Sequence, residues 1–216
     1  MIRFLTAQDL TAHPALRDSM FRDRADQFRT RLRWEVSVDA KGHEHDEYDA
    51  CNPLYVICQG ADGRHMGSMR FLPTTGPNMI QDHFSHLLNG RPLRDPGLWE
   101  CTRFCLGREA GPQVAGQLML AGGELLSAFG LGGFAGVFDA RMVRIYRRIG
   151  AEPEVLGGEG TGRDRIDVGI WRFTPAARAR VALRCGLSQA GVRHWFRCAF
   201  GDAPAHPFAP AFDLAG

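Results

Sequence analysis

The sequence predicts an α/β fold, one large domain in which a mixed sheet carries helices on both faces. Three observations point there. Strand-like runs gather in the first half of the chain and later alternate with helix-like runs. The length of 216 residues is about one and a half times the ~150 residues of a typical domain. Hydrophobic residues at 44% against charged residues at 23% support a packed core and exclude a disordered chain.

Residues 14–34 predict a helix, because Leu16, Met20, Phe28 and Leu32 recur at helical spacing. Residues 54–58 and 66–72 predict strands, with Asp62-Gly63 as the hairpin signal between them. Pro73-Thr74-Thr75-Gly76-Pro77 supplies turn chemistry, and a loop-rich stretch with Phe84 leads to a third strand, Leu98–Leu106. Residues 113–129 form a second helix with Leu118, Leu125 and Phe129 inward, followed by a short strand at 133–138. A third helix, Ala140–Ile149, stops at Gly150, and residues 166–173 form another strand. Beyond Thr174 come one or two short helices and a proline-rich end, residues 204–210, expected to be loose.

Two glycine runs are decoys. Gly158-x-Gly160-x-Gly162 precedes a strand-like segment, whereas a dinucleotide loop must open a helix. Gly130-x-Gly132-Gly133 ends a helix, the usual place for glycine.

The net charge of +2 is too small to indicate nucleic acid. It is uneven, −2 over residues 1–50 and +3 over residues 101–150, and the single Lys41 among 25 arginines reflects genome base composition. Residues 188–197 faintly resemble a DNA-recognition helix but lack the complete two-helix unit. No apolar run approaches the ~18 residues of a membrane span, and the N-terminus lacks a secretory h-region, so a cytoplasmic protein with no membrane or nucleic-acid partner is expected. The six cysteines (Cys51, Cys58, Cys101, Cys105, Cys185, Cys198) include no C-x-x-C pair, and Cys101 and Cys105 suit buried thiols. His43 and His45 stand beside acids, but with no further ligand spacing nearby they are expected to be solvated loop residues, and no metal is expected.

The chemistry concentrates in charges that break the apolar pattern. Arg24 lies four residues after Met20 and four before Phe28, on the apolar stripe itself. Taken alone it reads as an arginine snorkelling to the helix edge; held inward, it needs carboxylates, and Glu44, Asp46 and Asp49 follow. Phe28 and Trp34 offer flat faces for a purine or an onium ion. Arg70, Glu100 and Arg103 repeat the anomaly within strands. Glu100 and Arg103 differ in parity, so a β-bulge between them is needed to bring both to one side.

The ordered series Arg24, Phe28, Trp34, Glu44-x-Asp46-x-x-Asp49, the run from Gly67 to Pro77, Phe84, and Trp99-Glu100-Cys101-Thr102-Arg103-Phe104 closely resembles the acyl-homoserine-lactone synthases, the LuxI-type autoinducer synthase family. The resemblance covers roughly residues 1–173; residues 174–216 match weakly and are expected to be a helical extension packing on the same domain.

That resemblance implies a GNAT-like three-layer α/β/α sandwich around a mixed, mostly antiparallel sheet. It implies an enzyme that joins S-adenosylmethionine, as substrate, to an acyl group on a phosphopantetheine thioester of acyl carrier protein or coenzyme A, with no tightly bound cofactor. Glu100 is the expected proton acceptor, with Arg70 and Glu44 completing the catalytic set. Arg24, Phe28, Trp34, Asp46, Asp49 and Arg103 are expected to hold S-adenosylmethionine, and Phe84, Phe104 and Phe138 the acyl chain. Arg144, Arg147 and Arg148, sharing a helical face with Arg141, are expected to dock the donor or else to be a solvated basic face. Phe138 stands where relatives taking 3-oxo chains often carry threonine, so an unsubstituted or aromatic-compatible chain is expected. The rival enzyme is an N-acyltransferase of the same fold that uses an ordinary amino acid.

Overall fold

The computed structural model describes residues 1–201; the proline-rich stretch at 204–210 lies outside them. A seven-stranded sheet runs in the order β1-β4-β5-β6-β7-β9-β8. Its strands are β1 (Ile2–Thr6), β4 (Leu54–Gln59), β5 (His65–Pro73), β6 (Leu98–Leu106), β7 (Gly133–Asp139), β8 (Glu154–Glu159) and β9 (Ile166–Trp171). All neighbours pair antiparallel except β6 and β7. A separate two-stranded hairpin joins β2 (Ser37–Val38) to β3 (Glu44–His45).

Helices cover both faces. On one lie α4 (Val114–Ala128), α5 (Ala140–Ile149), α6 (Pro175–Cys185) and α7 (Gln189–Phe200), closing a core of Phe4, Phe71, Trp99, Leu118, Phe134, Trp171 and Phe196. The other face carries α1 (Ala7–Leu10), α2 (Pro14–Ala25), α3 (Met79–His83) and the 3-10 turn Ser85–Leu88. Two smaller apolar clusters sit there, one of Leu16, Met20 and Phe21 against Tyr55 and Ile57, the other of Ile80, Leu87 and Leu88 against Leu98 and Ile170. Alternation along β6 sends Trp99 to the first face and Leu98 and Glu100 to the second.

The predicted helix over residues 14–34 is shorter. Regular α2 ends at Ala25 and a π-helical segment, Asp26–Arg31, follows, so Trp34 stands beyond it. The wider turn resets which residues face inward. β1, β8 and the small hairpin are additional to the predicted elements. Gly157 and Gly158 give β8 no strand propensity, and the hairpin strands are too short to show a period. Gly160 and Gly162 take left-handed backbone between β8 and β9, a strand connection as expected.

β6 and β7 pair only at Leu98–Glu100 against Gly133–Ala135. Beyond this they part, and a Cβ at Gly136 would come within 2.9 Å of the Cys101 carbonyl at the fork.

Candidate active site

Arg24 does not snorkel. It is 1% exposed, and three guanidinium groups and three carboxylates on the α2 face of the sheet close into an alternating ring. Arg24 Nε donates to Glu44 at 2.6 Å, and its two terminal nitrogens donate to Asp49 at 2.9 Å each. Arg70 donates to Asp49 at 2.8 Å and to Asp46 at 2.7 Å. Arg103 completes the circuit, 2.9 Å from Glu44 and 2.8 Å from Asp46. Each charge thus has an opposite charge on either side, the condition under which buried ions are tolerated.

Local structure places each member. β3 turns Glu44 inward, and Asp46 begins the 3-10 turn Glu47–Cys51 with a capping box in which Asp49 accepts the Asp46 backbone N–H. Arg70 lies opposite Thr102 across the β5–β6 ladder and donates to its hydroxyl at 2.9 Å. The ladder then slips, so that two β6 residues, Arg103 and Phe104, stand against Met69, and Arg103 adopts φ 50. This is the bulge that the parity conflict required; it swings Arg103 onto the face of Glu100. A non-glycine residue with positive φ costs local strain.

Burial alone would raise the Asp49 and Asp46 pKa values, but His45 and the arginines around Asp49, and the arginines beside Asp46, hold both below the usual carboxylate range. Burial likewise works against the Arg24 and Arg70 charges, and the carboxylates outweigh it. Tyr55 donates to Asp49 at 2.6 Å.

Glu100 sits beside the ring, fully buried, at the start of α3. Its two oxygens accept the backbone N–H groups of Met79 at 2.9 Å and Ile80 at 2.6 Å. Burial raises its pKa to about 7 against the opposing pull of these hydrogen bonds. Between Glu100 and the ring lies Met79, whose Sδ is 3.7 Å from Arg103 Nη1, the least engaged corner of that guanidinium. Phe28 and Trp34 stack at 5.2 Å and 10°, with the Arg103 guanidinium 5.4 Å from the centre of the Phe28 ring. Phe28 is buried and Trp34 is 44% exposed, so the pair presents one open aromatic face.

The remaining expected residues do not converge. Phe104 and Phe138 border the α4-side core, where Phe138 meets Tyr146 and Trp171, while Phe84 packs on the opposite face with Leu87 and Leu88. Arg144, Arg147 and Arg148 lie exposed on α5, with Arg147 3.7 Å from Glu152. Cavities of about 540 and 460 Å³ open elsewhere, beside Asp23 and His65 and beside Arg172 and Arg193.

Several residues escaped the sequence reading. Gln27, in the π-helical segment, donates to the Phe104 carbonyl and accepts from the Leu106 N–H, both at 2.9 Å, clamping the bulge. Tyr48 places its ring 5.6 Å from the Arg70 guanidinium. Tyr55 was detectable as the one hydroxyl in an apolar strand. Asp23, His65 and Ser68 line up as in a hydrolase, at 2.7 and 3.0 Å, but Ser68 is 2% exposed, and the chain of bonds ties α2 to β5. His43 is not a solvated loop residue: it is 6% exposed and bonds Asp18 at 2.8 Å.

Solved structures give the class. The chain superposes on a CoA-dependent acyl-homoserine lactone synthase, MesI, with a TM-score of 0.76 at 25% identity, covering 87% of this chain and 96% of that one. It also matches TofI, solved with an inhibitor and MTA, with a TM-score of 0.70 at 28% identity, over 88% of this chain and 98% of that one. The fold is the GNAT-like sandwich of an acyltransferase class. The family model for autoinducer synthase matches residues 7–181. An acyl-homoserine-lactone synthase of Rhizobium etli is 39% identical over 197 residues, 88% of this chain and 91% of that protein. The chain belongs to the autoinducer synthase family, the transferases that make acyl-homoserine-lactone quorum-sensing signals.

Proposed function

We propose that this chain acylates S-adenosylmethionine from a phosphopantetheine thioester and closes the product to an N-acyl-homoserine lactone, releasing methylthioadenosine. The observation that carries this reading is the six-membered charge ring beside Glu100 and the Phe28–Trp34 stack. The open Trp34 face suits adenine and a neighbouring sulfonium, and Arg103 Nη1, fixed by the ring through Glu44 and Asp46, suits the methionine carboxylate.

The substrate α-amine, of pKa about 8, is partly neutral near neutrality. It attacks the thioester carbonyl: the N–C bond forms, the C–S bond breaks and the sulfur leaves as thiolate. The one amine proton passes to Glu100, directly or through a water, and Glu100 then returns it to the thiolate. A carboxylate oxygen then attacks the carbon bearing the sulfonium. The O–C bond forms as the C–S bond breaks, and the two charges cancel. This step asks chiefly for orientation, which Arg103 supplies by fixing the carboxylate.

The fork between β6 and β7 leaves strand edges beside which an extended pantetheine arm can lie, and the α5 arginines suit the anionic end of its carrier. The carrier is acyl carrier protein or coenzyme A; MesI is a CoA-dependent relative. Phe138, enclosed by Tyr146 and Trp171, offers no hydrogen bond to a 3-oxo group, which favours an unsubstituted or aromatic-compatible chain. This site supports a cytoplasmic role, where both substrates are made.

The test incubates purified protein with S-adenosylmethionine and either acyl-CoA or acylated carrier protein, following lactone and methylthioadenosine by mass spectrometry. Both products are expected in equal amounts. Consumption of acyl donor with an ordinary amino acid, and no methylthioadenosine, would establish the rival N-acyltransferase.

A further inference from the structure

The β2–β3 hairpin carries a cluster that the proposed reaction leaves unused. Asp39, His43 and His45 each bring one ligand atom within 4.8 Å of the other two. The lone pairs are arranged for a cation. His43 Nε2 lies 2.8 Å from Asp18 Oδ1, a pure acceptor when ionised, so Nε2 carries the proton and Nδ1 keeps its lone pair. Asp39 Oδ2 stands 3.8 Å from that Nδ1, while Asp39 Oδ1 is engaged by the backbone N–H groups of Lys41 and His43. His45 Nδ1 faces Asp49 Oδ2 at 3.8 Å. A carboxylate thus hydrogen-bonds behind the His43 imidazole, the outer-shell arrangement that orients a metal-binding histidine, and a second stands near His45.

Both rings are held before any ion arrives. Phe21 packs 4.2 Å from the His45 ring and 6.1 Å from that of His43. Asp39 is 43% exposed, which gives the site an entrance and one adjustable ligand. Ligand atoms around a tetrahedral ion stand about 3.4 Å apart; turning Asp39 draws its oxygen closer to both imidazoles, and a small rotation of the partly exposed His45 ring closes the rest.

We propose that Asp39, His43 and His45 bind one divalent transition-metal ion of the zinc class, with solvent in the remaining position. Two imidazoles and one carboxylate select such an ion over calcium or magnesium, which favour oxygen-only sets. The location gives the ion a consequence. Glu44, between the two histidines, points the other way to Arg24 and Arg103, so an ion bridging Asp39 and the histidines braces the strand that supplies a ring carboxylate.

The test uses tag-free protein carrying Cys198→Ser, which removes the thiol beside His194. Titration with Co²⁺ is expected to give one site per chain, with visible ligand-field bands and no thiolate charge-transfer band, displaced by Zn²⁺. Asp39→Asn keeps the Oδ1 turn contacts and replaces the ligand oxygen; with circular dichroism unchanged, it is expected to weaken Co²⁺ binding at least about tenfold. His45→Ala is expected to abolish it, and Zn²⁺ is expected to raise the Tm of the parent, to raise that of Asp39→Asn less at the same concentration, and not to raise that of His45→Ala. Absence of a stoichiometric Co²⁺ site, or binding undiminished in Asp39→Asn, overturns the proposal.

Discussion

Glu100 has its pKa set against itself. Its carboxyl is raised to about 7 by burial, so the folded state holds a proton that the unfolded chain releases near 4.5. Its contribution to stability is complete below about 4.5 and is lost as pH rises through about 7, at about 1.4 kcal/mol per unit between the two values. As the proposed proton acceptor it must be ionised, so turnover is expected to rise with pH through the same region. A pH–rate profile of lactone formation alongside thermal melts checks both slopes. Glu100→Gln is expected to flatten the rate profile and slow acylation at least about a hundredfold while S-adenosylmethionine still binds. Arg24→Ala leaves Glu44 and Asp49 short of a buried partner, and a loss of about 3–5 kcal/mol in denaturant melts is expected.

At the scale of elements, the β6 bulge matters most. It turns a strand residue through the sheet, and Gln27 reaches across from the helical segment to occupy the carbonyl of Phe104 and the N–H of Leu106. Gln27→Leu is expected to leave these groups unpaired, lowering stability by about 1–3 kcal/mol and raising the KM for S-adenosylmethionine more than it lowers kcat, because Arg103 loses its fixed position. Steady-state kinetics separates the two. The bulge was legible because Glu100 and Arg103 have opposite parity yet both needed to face one chemistry. Gln27 was not, since a polar side chain next to an apolar stripe is ordinary. β1, β8 and the hairpin escaped for local reasons: a basic residue in a five-residue run, paired glycines, and strands of two residues.

Over the whole molecule, strand order is set by contacts distant in sequence. No local pattern in β1 announces Cys58 as the partner of Ile2, or α7 as its cover. Arg24 shows the same divide at the site: its placement on the apolar stripe was legible, but whether it escaped to solvent depended on carboxylates reaching it from twenty and twenty-five residues away. Helices α6 and α7 bury Val181, Val192 and Phe196 against α4 and β1, roughly 1.5–3 kcal/mol each. Against a typical total of about 5–15 kcal/mol, a chain ended at residue 173 is expected to lose its cooperative melt and aggregate, which calorimetry and size-exclusion chromatography check.

The closed circuit of arginines and carboxylates also governs how these six positions can drift. Removing any one member leaves an odd charge underground, whereas exchanging two adjacent, opposite members for apolar groups restores neutrality. Inheritance can therefore rewrite this centre only in coupled steps, so the tolerated histories of one position are written in its neighbours.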